Sequence, residues 1–135
     1  MIVHSLPMRR AATDAVAALF ANARLHLYQG ARPASPDIAA PAGSLLAVLR
    51  LPEVPFGPAD AGGAAMTGEW TGTARAAGMP AWFRMVLSDG TPAFDGDVSV
   101  APTLPDTPAG DLVLAAGPVE IGHFIQVTSF RMALP

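Results

Sequence analysis

GMPAWFRMVLSDGTPAFDGDVSV, residues 78 to 100, reads as two strands and the turn between them. Ala81 to Leu87 is an apolar run with aromatic and β-branched members, the composition of a strand rather than a helix. Ser88-Asp89-Gly90-Thr91 is the strongest hairpin signal in the chain, because Gly supplies the positive φ that a tight turn requires. Ala93 to Val100 returns with period two. Phe94, Val98 and Val100 point inward, while Asp95, Asp97 and Ser99 point out.

The same stretch carries Asp95-Gly96-Asp97, two acids two residues apart on one strand face. A hard cation such as calcium is the obvious ligand to consider. Calcium takes six or more oxygens, and no third acid stands nearby in the sequence. The expected role is therefore structural, with polar residues on an outer face and Gly96 at a bulge or a close approach.

Working outward, Glu69 to Ala76 alternates, with Trp70, Gly72, Ala74 and Ala76 on one face. Small residues beside Trp70 imply close packing under something bulky. Arg24 to Tyr28 also alternates: Leu25 and Leu27 face one way, and Arg24, His26 and Tyr28 the other. Leu45 to Leu51 is a near-continuous apolar run, read as a strand buried on both faces, and Pro52, Pro55 and Pro58 end it. Asp111 to Ala115 is a short strand. Phe124 to Leu134 is the last, with Phe124, Phe130, Met132 and Leu134 expected on one face. Residues 30–44, 57–68 and 101–110 are loops rich in Pro, Gly and Ala. Residues 9–22, RRAATDAVAALFAN, read as a short helix with Val16, Leu19 and Phe20 as its apolar stripe. Residues 1–8 are expected to form an extended arm able to add a strand to a neighbour.

One helix and seven or eight strands without a βαβ rhythm predict a single domain over residues 1–135. The expected fold is mainly β, an antiparallel β-sandwich or jelly-roll-like barrel with one short N-terminal helix capping an end or an edge. A chain of 135 residues is long enough for a core without disulfides, and it has no cysteine. Thiol chemistry and Cys-ligated metals are thereby excluded. Residues 1–23 do not read as a secretory leader, since the would-be apolar core is mostly alanine and contains Asp14. No stretch approaches the roughly 20 apolar residues of a membrane span.

Net charge is −3 and only 14% of residues are charged. All the cations are arginine, and they are scattered along the chain, so no basic run points to nucleic acid. A surface this sparsely charged is suited to being covered by a partner. No catalytic constellation is legible. His4, His26 and His123 share no metal-ligand spacing, no serine sits in a nucleophile elbow, and no phosphate loop is present. Catalytic, metal-binding and cofactor-binding residues are therefore not expected. The candidate partner contacts are Arg24, His26, Tyr28, Trp70 and Trp82. The aromatic members of that set would provide a stacking platform if the ligand were a glycan.

The order of these motifs resembles a group of small virion proteins of tailed bacteriophages. The resemblance is carried by Gly72-Thr73-Ala74, Arg84, Asp89-Gly90 and Asp95-Gly96 with Val98, then by Gly122, Val127 and Leu134-Pro135. It covers most of the chain and rests on hairpin chemistry. It implies a structural virion role. The expected partners are the major capsid protein and further copies of the chain itself, as in a head decoration or cement protein. The other implied place is the tail, baseplate or fibre, in contact with host glycans.

Overall fold

The Leu87 amide donates to the Thr91 carbonyl at 2.9 Å, and the Gly90 amide donates back to Leu87 at 2.9 Å. Gly90 adopts φ +92°, and the Asp89 carboxylate accepts the Thr91 amide at 2.9 Å. These bonds fix a three-residue turn, and the two flanking strands pair in antiparallel register from it. Asp89 is held below its usual carboxylate range by that backbone donor.

The computed structural model describes residues 2–60, 63–100 and 111–132. The elements are helix α1 (Leu6–Ala17), a 3-10 turn at Ala18–Phe20, and eight strands. The strands are β1 (Arg24–Tyr28), β2 (Leu45–Arg50), β3 (Ala64–Ala65), β4 (Thr71–Ala74), β5 (Trp82–Val86), β6 (Pro92–Val100), β7 (Leu112–Leu114) and β8 (Phe124–Met132). They hydrogen-bond in the order β3-β8-β4-β2-β1-β5-β6-β7, and β7 also pairs with β8. The sheet thus closes into a seven-strand β-barrel, with β3 hanging on the far end of β8. The domain is mainly β with one short N-terminal helix, as the sequence predicts. One ladder departs from the antiparallel expectation: β6 and β7 run parallel, with Val98 opposite Leu112 and Val100 opposite Leu114. The segment between them, the third Pro-rich loop at 101–110, lies outside the described residues, as do residues 61–62 and 133–135.

The inward residues are those that the alternation selects. Leu25, Leu27, Leu49, Trp70, Phe83, Met85, Leu112 and Leu114 are all fully buried. Six aromatic rings fill the middle. Phe94 stacks parallel to Phe130 at 6.1 Å, and Phe83 meets Phe130 edge-on at 5.6 Å. Trp70 meets Phe56 edge-on at 5.3 Å, and Phe20 does the same to Phe94 at 5.5 Å. Phe20 comes from the 3-10 turn, so α1 and its continuation cover one end of this cluster.

Three expectations are corrected. The helix begins at Leu6 rather than Arg9, because Ser5 caps it by accepting the Met8 amide and Pro7 suits its first turn. The expected arm over 1–8 therefore keeps only the residues before the cap, where Ile2 and Val3 stand exposed. On β8, Phe124 does not share a face with Phe130 and Met132. The pairing with β7 slips between Val113 and Leu114, so that Ser129 faces Val113 and Val127 faces Leu114. The residue passed over, Thr128, bulges and bonds through its hydroxyl to the Val113 carbonyl at 3.1 Å. Side-chain parity changes there. Ile125 and Val127 point in before the bulge, Phe130 and Met132 after it, and Phe124 is left outside.

Glycines carry two of the close approaches. A Cβ on Gly72 would lie 2.6 Å from the Val48 carbonyl oxygen and 3.1 Å from the Leu49 Cα, both backbone atoms of the paired strand. A Cβ on Gly96 would lie 2.6 Å from the Phe83 ring, which accounts for the glycine between the two acids. Gly72→Ala should therefore lower stability by about 1–3 kcal/mol, since a backbone ladder cannot step aside. Gly57→Ala, whose Cβ meets a Thr67 methyl at 3.3 Å and the Ala65 carbonyl oxygen at an ordinary 3.9 Å, should cost less. Urea denaturation of both variants checks the order, and equal midpoints would contradict it.

Candidate functional site

Strand parity places the outward side chains of five adjacent strands in rows. One row runs Thr73 (β4), Val48 (β2), His26 (β1), Arg84 (β5) and Asp95 (β6). A second runs Thr71, Arg50, Arg24 and Val86. A third includes Leu45, Tyr28, Trp82 and Asp97. All the candidate contacts named from the sequence except Trp70 fall on this outer face.

The β5–β6 side of the face is sealed. Arg84 donates from Nε to Asp95 Oδ1 at 2.7 Å and from a terminal nitrogen to Oδ2 at 3.0 Å, a two-pronged ion pair. Both side chains are more than nine-tenths buried. The same guanidinium reaches the Ser35 carbonyl at 3.4 Å and lies 5.4 Å from the centre of the Trp82 ring. Tyr28 stacks on Trp82 at 4.2 Å with a 15° tilt between the planes. The Asp95 bond raises the Arg84 pKa further, and burial pushes the Tyr28 hydroxyl up. The connection from β1 to β2 reaches over this cluster through Ser35 and through Arg32, 3.7 Å from Asp97.

Asp95 and Asp97 thus do different work. Asp95 neutralises a buried arginine, whereas Asp97 stands exposed with a loose partner. Among the described residues, no group of three or more His, Asp or Glu side chains could hold a metal ion.

The aromatic contacts are corrected by burial. Trp70 lies inside the barrel, fully buried, and its Nε1–H donates to the Thr67 carbonyl at 3.2 Å. Trp82 is 1% exposed and Tyr28 7%, both under the Arg84 cluster. Outward parity put Tyr28 and Trp82 on the right face, but the connection passing over that side removes them from the surface. The Trp82 Nε1–H is buried without a hydrogen-bond partner among the described residues.

Arg24 stays exposed and His26 half-buried. What surrounds them was not legible as a group. Arg50, exposed, is the cross-strand partner of Arg24, and exposed Arg75, in the bend just after β4, is near enough for its charge to act on His26. Phe124, 70% exposed, is the partner of Thr73 on β8. The usable signal was the outward position of Arg24 and Arg50 on adjacent strands, which needs the β1–β2 register to be read. His26 reports the local field. Its pKa is lowered by burial first, then by the charges of Arg24, Arg75 and Arg84. Its Nδ1 lies 3.3 Å from the Tyr28 hydroxyl, which can donate to the neutral ring.

A cavity of about 290 Å³ opens between α1 and the barrel, walled by Val16, Phe83, Phe94 and Phe130 with Asp111 and Arg131 at its rim. Its polar groups are already engaged. Asp111 accepts the Asp97 amide at 3.0 Å, and Arg131 donates to Asp60 at 2.8 Å.

Two outcomes follow from this geometry. Asp95→Asn should destabilise the fold by about 3–5 kcal/mol, because it strands a buried guanidinium, while Asp97→Asn should change stability by about 0–1 kcal/mol. Chemical denaturation separates them, and similar small effects would contradict the assignment. The second concerns pH. A histidine whose folded pKa is depressed lets the unfolded chain bind the proton first, so its contribution is present above 6.5 and lost as pH falls through that value. His26→Gln should flatten the decline of Tm with pH between about pH 7 and 5, and an unchanged slope would contradict it. Comparison of the chain with family models, with curated proteins and with solved structures finds no match.

Proposed function

We propose that the chain is a structural protein of a tailed-bacteriophage virion, a decoration or cement subunit that binds the major capsid protein and stabilises the head. The observation that carries this reading is the combination of a closed barrel with large apolar side chains left standing in water. Ile121 is 74% exposed, Phe124 70% and Val54 68%, on a chain with few charges. Closure removes most free strand edges, so association proceeds through side-chain surfaces rather than strand addition. The proline-rich connections lose little conformational entropy on docking, which favours binding at repeated capsid sites. Copies of the same chain around a symmetry axis would enlarge each contact. The resemblance of the motif order to small phage virion proteins points to the same role, and the reading is of a non-catalytic protein in the virion, without nucleic acid, membrane or cofactor as partner.

A place on the tail, baseplate or fibre is the competing location. Its glycan version draws little support from the aromatic residues named for it, because the indoles of Trp70 and Trp82 are covered. Quantitative mass spectrometry of purified particles decides between the locations. Copies on the order of hundreds per particle are expected for a head protein under icosahedral symmetry. A number near that of a tail ring would move the protein to the tail, and its absence from particles would overturn the virion reading.

A further inference from the structure

We infer that the outer face of β4, β2 and β1, centred on His26, is a docking surface for an acidic segment of a partner protein, with carboxylates received by Arg24, Arg50 and Arg75 and an apolar side chain received beside Phe124. The inference rests on this surface alone and does not require the virion reading.

Three observations converge on it. The first is an opposition of like charges. Arg24 and Arg50 are direct cross-strand partners, so their side chains leave neighbouring backbone positions about 5 Å apart on the same face. Such a pair destabilises a sheet unless something neutralises it. Neither guanidinium has an ion-pair partner among the described residues, nor does Arg75. Arg32, Arg84 and Arg131 each have an aspartate. The unneutralised arginines of the barrel are thus gathered on one face, in a chain whose net charge is −3.

The second observation is the field at the centre of that face. After burial, the groups that lower the His26 pKa are the charges of Arg24, Arg75 and Arg84. The carboxylate in the row of His26 is Asp95, two strands away, and it is already held by both prongs of Arg84.

The third is the neighbour at the border. Phe124 lies outside because of the Thr128 bulge, and it is the β8 partner of Thr73 in the same row as Val48 and His26. An exposed aromatic on the same face as arginines combines two residue types enriched at interfaces.

The chemistry favours protein carboxylates over a nucleic-acid backbone. Arginine receives a carboxylate through two parallel N–H donors. Three cations on a chain of net charge −3 make a local site, too few to follow the phosphates of a duplex. Phe124 adds an apolar anchor that a phosphate backbone does not use.

The test uses the full chain, isotope-labelled, titrated with a synthetic peptide alternating Glu and Leu, with its Gln-for-Glu counterpart and with a short DNA duplex. The acidic peptide should shift amide resonances of β1, β2, β4 and the start of β8, and binding should weaken as salt is raised. Arg24→Glu with Arg50→Glu should reduce the affinity at least about tenfold. Arg24→Gln supplies a readout that does not depend on affinity: it should raise Tm, because it removes the opposed charge, while weakening the peptide. Equal binding of the Gln peptide, shifts confined to Arg9 and Arg10 on α1, tighter binding of the duplex, or a fall in Tm for Arg24→Gln would each overturn the inference.

Discussion

Leu112, Val113 and Leu114 hold together what would otherwise be the two free edges of a sheet. On one side they pair in parallel with the end of β6, and on the other in antiparallel with β8. Without those few residues the remaining strands form an open sheet with a long β6 edge and a half-paired β8. With them, the inner face becomes an enclosed volume, and six aromatic rings fill it. The two leucines point into that volume and are fully buried, so the residues that complete the backbone ring also extend the core. Closure and core packing are therefore one event.

Much of this architecture was legible in local pattern. The hairpin at Asp89-Gly90, the alternation of β1 and β4 and the single helix each follow from short-range rules, and each is found in the structure. The helix start was legible too, in Ser5 and Pro7, but was outweighed by the richer alanine pattern downstream. Two features were not readable in that way. The parity change at Thr128 leaves no mark in composition, because Phe124, Phe130 and Met132 are all apolar and one uninterrupted phase is the simpler pattern. The burial of Tyr28 and Trp82 depends on where the connection from β1 to β2 lies, and a segment rich in Pro, Ala and Gly does not announce what it will cover. The arginine face failed for a third reason. Arg24, Arg50 and Arg75 are far apart in sequence, and only strand register makes them neighbours.

The outer face divides its charges into two regimes. On the β5–β6 side, Arg84 is desolvated, held by two bonds to Asp95 and shielded by Trp82, so its charge is spent internally and contributes little at long range. On the β4–β2–β1 side, the arginines stand in solvent with their charge uncompensated. Between them His26 feels both, from a half-buried position. The difference arises from a single connection that covers one side and leaves the other bare. A barrel wall of nearly uniform backbone thus acquires one region that adds rigidity and another that is available for contact.

The phase slip at Thr128 has a consequence for how this strand can change over time. Before the slip, the solvent-facing positions of β8 are 124, 126 and 128; after it, Arg131 faces out, while Ile125, Val127, Phe130 and Met132 answer to the core. A single strand therefore carries two sets of positions under unrelated selection. The outward set in its first half can drift with whatever the surface meets, and no compensating change is required inside. The inward set belongs to the core, where Phe130 alone meets the rings of Phe56, Trp70, Phe83 and Phe94. Divergent relatives of this chain would be expected to preserve a broken rhythm at this point while varying freely just before it, and the interrupted spacing itself would be their more durable signature.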